Sequence, residues 1–212
     1  MPKGNILLIC AHSDDHIFGV GGTIAKYAQE GKNVQVIILS YGEKTHPWLK
    51  ARFAKDMRAK ETAVADRIVG CKSQFFDFKE GNFKEGYQDA KPKLLSIVKK
   101  INPVRIFTHS NEDPHPDHRA AYHITLDLIK DANISPQVYC FSIWNPFSIK
   151  KNYLPQLYVD ITQTHQTKFK AIRIFKSQWA ALIVLLWSIF TRELKHGLHM
   201  GTKFAEQFYR VR

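Results

Sequence analysis

Two kinds of hydrophobic pattern alternate along the chain. Residues 5–10 and 34–39 are nearly continuous apolar runs, which are typical of strands buried on both faces of a sheet. Longer stretches with helical spacing lie between such runs. Further strands are predicted over 74–78, 104–108, 138–143 and 157–161. Helices are predicted over about 22–29, 49–69, 92–101, 119–130 and 167–190.

This alternation of strands and helices predicts an α/β fold, a Rossmann-like three-layer sandwich with a mostly parallel central sheet. The length of 212 residues fits one domain over 1–212. Residues 145–155 contain two prolines and are predicted to form a loop within this domain rather than a domain linker.

Two short loops are rich in histidine and aspartate, and each follows a predicted strand. Residues 11–16 read AHSDDH, and residues 113–118 read DPHPDH. In open α/β sheets, ligands bind beyond the carboxyl ends of the strands, where both loops lie. Imidazole and carboxylate groups suit Zn²⁺ and also Fe²⁺, Mn²⁺, Co²⁺ or Ni²⁺. Two ligands from one loop and a third from the other would leave a position open for water.

Neighbouring residues in these loops can divide the chemical roles between them. One of Asp14 and Asp15 can face the metal while the other accepts a proton from the attacking water. One of His115 and His118 can bind metal while the other, protonated and held by Asp117, stabilises an oxyanion or protonates a leaving group. The same residue types also form turns and helix caps, which is the structural alternative.

Charge and cysteine content exclude several classes of protein. The chain has 31 Lys+Arg against 19 Asp+Glu, a net charge of +12, but the basic residues are dispersed and no nucleic-acid-binding motif is present. Three cysteines without a C-x-x-C pair argue against a disulfide scaffold, a thiolate zinc finger and an iron–sulfur site. The apolar run that ends at Ala11 is too short for a signal peptide, so the expected location is cytoplasmic.

The glycines over 19–22 raise the alternative of nucleotide binding. A dinucleotide fingerprint needs a glycine at the sixth position, where this chain has Ile24, and the second predicted strand ends without the acid that binds ribose. The motifs G-x-S-x-G and G-K-[ST] are also absent from the sequence. Dinucleotide, serine hydrolase and P-loop chemistry are therefore not expected.

Taken together, the two loops resemble the LmbE/PIG-L superfamily of metal-dependent N-deacetylases. That family carries A-H-P-D-D near the N-terminus and H-P-D-H in mid-chain, which correspond to residues 11–15 and 115–118 here. The glycine-rich stretch 19–24 and an R-x-x-E helix at 58–61 also match. The resemblance implies that His12, Asp15 and His118 hold Zn²⁺ or another divalent metal such as Fe²⁺, with Asp14 as the general base.

The resemblance also implies roles for residues around the metal. His115, oriented by Asp117, would stabilise the tetrahedral oxyanion and protonate the departing amine, and Arg58 would bind substrate. Ser13 replaces the usual proline of the family motif. His16 stands where many members have glutamate and would be a fourth ligand, a group behind the ligands or, as we expect, a substrate contact.

The resulting prediction is a zinc-dependent hydrolase that removes the N-acetyl group from an N-acetylglucosamine-type sugar or glycolipid. One alternative is a metal-dependent amidase acting on a non-sugar amide. Another is a basic surface-binding module without turnover, and a homo-oligomer is compatible with any of these. The substrate class implied by the resemblance is a small N-acetylated molecule, and no nucleic acid is expected.

Residues 179–190, WAALIVLLWSIF, form the most apolar segment of the chain. Twelve helical residues span ~18 Å, which is short of the ~30 Å hydrocarbon core of a bilayer. A buried helix or an oligomer contact is the simpler interpretation. The sharper one is peripheral membrane contact, because Trp179 and Trp187 suit a bilayer interface. Basic residues flank the segment at Lys168, Lys170, Arg173, Lys176, Arg192 and Lys195.

Overall fold

Seven strands form one sheet at the centre of the computed structural model, which describes residues 4–45, 50–143 and 154–212. The strands are β1 Ile6–Cys10, β2 Val34–Ile38, β3 Lys72–Phe75, β4 Arg105–His109, β5 Gln137–Phe141, β6 Gln156–Asp160 and β7 Ala205–Arg210. Their order is β3-β2-β1-β4-β5-β7-β6. Strands β1 to β5 pair in parallel, and β7 lies between β5 and β6 and is antiparallel to both.

Helices cover both faces of this sheet. They are α1 Asp15–Gln29, α2 Ala51–Val69, α3 Phe83–Ile101, α4 Pro116–Ala132, α5 His165–Ile172 and α6 Trp179–Met200. Side chains of α1, α2, α5 and α6 share one hydrophobic cluster, and those of α3 and α4 share the other. The predicted α/β fold with a mostly parallel sheet is therefore confirmed, whereas the domain extent of 1–212 stays a prediction.

Strand β1 shows why its sequence is apolar throughout. Ile6, Leu8 and Cys10 pack into the cluster on one face of the sheet. Leu7 and Ile9 pack into the cluster on the other face. A strand covered by helices on both sides has no solvent-facing position, so a continuous apolar run is the pattern it requires.

The topology brings the two histidine-aspartate loops together. Strands β1 and β4 are neighbours in the sheet, and the loops follow their carboxyl ends. Helix α1 leaves β1 toward one face, and α4 leaves β4 toward the other. A crevice opens where consecutive connections depart to opposite faces, and this is the position where open α/β sheets bind ligands.

Several predicted boundaries are wrong by more than two residues. Helix α1 begins at Asp15 rather than near residue 22, so the glycines over 19–22 lie inside the helix. They allow close packing there, since a Cβ on Gly19 would lie 2.3 Å from the Phe141 ring. Helix α3 begins at Phe83 and contains Pro92 within it. Strand β3 lies earlier than predicted, and β7 was not predicted. Most of the predicted loop over 145–155 lies outside the described residues.

The apolar segment 179–190 forms the first half of α6. Leu182, Leu185 and Ile189 are buried in the core, while Trp179 and Trp187 are exposed. Within the described ranges, no helix combines the length and hydrophobicity needed to cross a membrane. Trp179 and Trp187 therefore lie on the side of this segment that faces away from the core.

Candidate metal centre and active site

The loop after β1 turns directly into α1, which fixes the side chains of the first motif. Asp14 is the residue before the helix, and its carbonyl oxygen accepts the N–H groups of Ile17 and Phe18 at 3.0 and 3.1 Å. The carboxylate of Asp15 turns back and accepts the backbone N–H of His12 at 2.7 Å. This hydrogen bond between the two ends of the turn holds the His12 and Asp15 side chains close together.

The three expected metal ligands meet in the crevice. One donor atom from each of His12, Asp15 and His118 lies within 4.8 Å of the others, and all three side chains are buried. His12 Nδ1 is 3.6 Å from Asp15 Oδ2, and His118 Nε2 is 3.5 Å from Asp15 Oδ1. Two imidazoles and one carboxylate form a donor set found in catalytic zinc sites with an open coordination position. The residues therefore fit a divalent metal.

Two further residues support these ligands from behind. Asp113 Oδ1 lies 2.9 Å from His118 Nδ1, which leaves Nε2 directed toward Asp15. His109 Nε2 lies 3.1 Å from Asp15 Oδ2, and its ring stacks on His118 with centroids 4.0 Å apart. Carboxylates that hold the second ring nitrogen of a histidine ligand fix its orientation and tautomer. The sequence placed His109 and Asp113 in or beside the second loop, but nothing in it assigned them this role.

The charges in the crevice favour a bound cation. Burial opposes ionisation of Asp15, but His118 and His109 hold the pKa of its carboxyl well below the usual range. Burial also opposes protonation of His118, yet Asp15 and Asp113 raise the pKa of this imidazole to about 10. The cluster thus stabilises positive charge strongly, and a metal ion would take the place of the ring proton.

Asp14, the expected base, is held from the opposite side by Arg58. Arg58 Nη2 lies 3.2 Å from Asp14 Oδ2, and its Nε donates to the carbonyl of Tyr41 at 2.7 Å. The Arg58 side chain is only 2% exposed. Gly42 allows this approach, because a Cβ there would lie 2.9 Å from Arg58 Nη2. Arg58 therefore touches the expected base, and its contact with substrate stays a prediction.

The expected pairing of His115 with Asp117 differs in detail. The backbone N–H of Asp117 donates to His115 Nδ1 at 3.2 Å, so this ring caps α4. The Asp117 carboxylate instead lies 3.3 Å from His12 Nε2 and accepts the N–H of Gly81 at 3.0 Å. Burial, together with His12 and His118, lowers the pKa of His115. Asp117 thus orients His115 by its main chain and His12 by its side chain.

His16 does not reach the crevice, which corrects the expected substrate contact. Its ring is fully buried, and Nε2 lies 2.9 Å from Asp66 Oδ1 on α2. Asp66 also accepts hydrogen bonds from Cys71 Sγ and the Ser73 N–H. His16 follows Asp15 in the first turn of α1, and adjacent residues of a helix are rotated by about 100°, so its ring leaves the helix in a different direction from the Asp15 carboxylate. The placement fits a support between α1 and α2.

The structure therefore gathers most of the predicted site. The residues brought together are His12, Asp14, Asp15, Arg58, His115, Asp117 and His118. Glu80 joins them without any sequence signal, since its Oε1 lies 4.0 Å from His12 Nε2 and its neighbour Gly81 binds Asp117. Its presence depends on the loop after β3 reaching across the carboxyl edge of the sheet.

Comparison with known proteins identifies the family of this chain. The PIG-L family model, described as GlcNAc-PI de-N-acetylase, matches residues 7–129, which include both histidine-aspartate loops. The chain belongs to the PIG-L family.

Relatives of this PIG-L chain carry more than one activity. It is 28% identical over 210 residues to 4-oxalmesaconate hydratase from Pseudomonas putida, covering 90% of this chain and 78% of the relative. Diacetylchitobiose deacetylase from Thermococcus kodakarensis is 25% identical over 217 residues, covering 95% of this chain and 80% of the relative.

A solved structure gives the same fold. The 4-carboxy-2-hydroxymuconate hydratase from Pseudomonas putida superposes with a TM-score of 0.85 at 24% identity, covering 99% of this chain and 96% of that one. The family and the deacetylase relative support an enzyme with deacetylase activity. The hydratases show that related chains can carry a different reaction.

Proposed function

We propose that this protein is a zinc-dependent hydrolase that removes the N-acetyl group from an N-acetylglucosamine-type sugar or glycoconjugate. The observation that carries the proposal is the convergence of His12, Asp15 and His118 beside a separate carboxylate, Asp14, in a chain of the PIG-L family. When bound there, zinc would polarise the acetamide carbonyl and lower the pKa of the attacking water.

Asp14 is the group placed to accept a proton from that water. It lies between His12 and Asp15 in the first loop but is held by Arg58 rather than by the three ligands. The ion pair keeps the carboxylate in one orientation, and positioning of this kind is what general base catalysis requires. As the water oxygen bonds to the carbonyl carbon, its proton moves to Asp14.

His115 is placed to stabilise the oxyanion that forms. Because His115 Nδ1 accepts the Asp117 N–H, a neutral ring carries its proton on Nε2 and can donate it in a hydrogen bond. The C–N bond then breaks, and the proton held by Asp14 passes to the amine nitrogen. The products are acetate and the free amino sugar.

A second candidate is the addition of water to a carbon–carbon double bond. The similarity to 4-oxalmesaconate hydratase over 90% of the chain favours it. Water activation would use the same residues, but the acceptor would be an unsaturated carboxylate and no acetate would form. A metal-dependent amidase for non-sugar amides is distinguished by the same measurements.

The test measures acetate release from N-acetylglucosamine, diacetylchitobiose and an N-acetylglucosaminyl inositol, with a simple N-acetyl amine as the non-sugar control. Chelated protein is assayed before and after addition of Zn²⁺ or Fe²⁺. The proposal predicts acetate release from at least one sugar, restored by zinc. Loss of absorbance of an unsaturated dicarboxylate without acetate release from any sugar would replace it with the hydratase.

A further inference from the structure

The outer side of α6 carries three large exposed apolar side chains, Trp179, Trp187 and Leu198, which we call the outer stripe, whereas Phe190 and Leu194 pack against the core. Trp179, Trp187 and Leu198 are 67%, 72% and 71% exposed, which is unusual for side chains of this size. Phe190 and Leu194 are half-buried between them. At about 1.5 Å per residue the stripe is ~29 Å long. Large exposed apolar patches mark binding surfaces more often than isolated exposed residues do.

The inner side of α6 is firmly attached, so the exposure is a property of the packed helix. Leu182, Leu185 and Ile189 are buried in the core. One turn further, Glu193 accepts a hydrogen bond from the buried Lys168 at 2.5 Å. The helix therefore presents its outer stripe from a fixed position.

The exposed charges in the part of the chain that contains α6 all have one sign. Among residues 161–212, every exposed charged side chain in the described structure is basic. These residues are Lys170, Arg173, Lys176, Lys195, Lys203, Arg210 and Arg212. The acids of this segment, Glu193 and Glu206, are buried. Exposed cations that precede and follow exposed tryptophans along the chain give this segment a charge complementary to an anionic lipid layer.

We propose that the outer stripe of α6 docks on an anionic bilayer surface, with its tryptophans in the interface and the flanking lysines and arginines on the lipid headgroups. A second copy of the chain fits less well, because an isologous contact would bring the same basic residues of both copies together. In this arrangement α6 lies parallel to the membrane plane, and no helix needs to span the bilayer.

The docking surface begins beside the crevice. Ser177, two residues before α6, donates its backbone N–H and its hydroxyl to the Glu61 carboxylate at 2.9 and 2.5 Å. Glu61 lies one turn along α2 from Arg58, which binds Asp14. If the proposed deacetylation is correct, an enzyme docked this way would hold its site near the bilayer, where the sugar of a glycolipid lies. The docking itself does not depend on that activity.

The experiment is co-sedimentation of the metal-loaded full chain with vesicles that contain no acetylated sugar. Vesicles of phosphatidylcholine alone are compared with vesicles containing roughly 40% phosphatidylglycerol, whose negative surface potential attracts basic residues. We expect binding to the anionic vesicles, a blue shift of tryptophan fluorescence, and loss of binding at about 0.5 M salt. Absence of sedimentation with anionic vesicles at low salt would overturn the proposal.

Variants separate the stripe from general charge. W179S/W187S should lose at least about tenfold in vesicle affinity, whereas F53S, which removes an exposed aromatic side chain of α2, should not change it. A K170S/R173S/K176S variant should lose about fivefold per charge. Equal binding by W179S/W187S and the parent would contradict the proposal. So would sedimentation equilibrium showing an oligomer that W187S alone dissociates, since a second copy would then cover the stripe.

Discussion

His109 Nε2 lies 3.1 Å from Asp15 Oδ2 and also accepts the backbone N–H of Ala11 at 3.1 Å. The last residue of β4 therefore contacts both the loop after β1 and the carboxylate expected to bind metal. Its ring fills the space below His118, on which it stacks. His109 thus contacts residues of both histidine-aspartate loops from the carboxyl end of β4.

Replacing His109 by alanine should weaken zinc binding by about 10–100-fold, because Asp15 would keep only the His12 N–H on this oxygen and His118 would lose the ring on which it stacks. Affinity is measured by competition with a chromophoric chelator, so the result does not depend on catalysis. H123A, which removes an exposed histidine of α4, is the matched control. Unchanged zinc affinity in a folded H109A protein would show that Asp15 needs no such support.

Replacing Asp14 should impair catalysis without loss of zinc, whereas replacing His118 should impair zinc binding, if the two roles are correctly assigned. Asp14→Asn keeps the size of the side chain but cannot accept the water proton, so deacetylation should decrease about 10²–10⁴-fold with zinc content unchanged. Zinc is measured by metal analysis of the same preparation used for the assay. A near-normal rate in D14N would mean that another group is the base.

His118→Ala is the counterpart of that variant. It removes one of the three donors, so the protein should retain no stoichiometric zinc after dialysis. Stoichiometric zinc in H118A would refute the ligand role of His118, whatever the activity.

The stability of the protein should decrease as the pH falls from 7 to 5, in part because of His165. Burial, assisted by Lys168, lowers the pKa of this histidine to about 4. Between about pH 6.5 and 4 the unfolded chain binds a proton that the folded chain does not, so stability is lost as the pH falls through that window. His165 stacks on Phe204 with centroids 3.6 Å apart.

His165→Phe preserves the stack and removes the titration. The melting temperatures of the parent and H165F are compared at pH 7 and pH 5. The parent should lose about 1–2 kcal/mol more than H165F over this interval. Parallel losses in the two proteins would show that other groups cause the acid sensitivity.

Lys168 should be essential for stability although it is remote from the crevice. Its ammonium lies 2.5 Å from Glu193 and 2.6 Å from Glu206, and all three groups are buried. Lys168→Met would leave two carboxylates together without a cation, which costs about 3–5 kcal/mol. K170M, which removes an exposed lysine of the same helix, should change the free energy of unfolding by less than about 0.5 kcal/mol in urea titrations. Similar effects of both variants would contradict this account.

The sequence predicted the parts of the site that lie in short contiguous motifs. Apolar runs identified β1 and its neighbours, and the rule that ligands bind at strand carboxyl ends directed attention to His12, Asp15 and His118. A strand buried on both faces leaves little choice of sequence, which is why these elements could be predicted.

The sequence could not predict contacts that depend on ring direction or on a distant loop. His109 is the last residue of a strand, and only the pairing of β4 with β1 brings it to Asp15. His16 was expected near substrate because it stands where many family members have glutamate, but its position next to Asp15 in the first turn of α1 directs it to Asp66. Glu80 has no motif, and its position depends on how the loop after β3 folds.

The carboxylate of Glu206 accepts the backbone N–H groups of Gly22 and Thr23 at 3.0 and 2.8 Å, so β7 holds α1 across 184 residues of chain. During synthesis on the ribosome, α1 and the first motif emerge long before β7 can enter its place between β5 and β6. The helix that begins with Asp15 is thus made early in synthesis but gains these two hydrogen bonds only after β7 has been made.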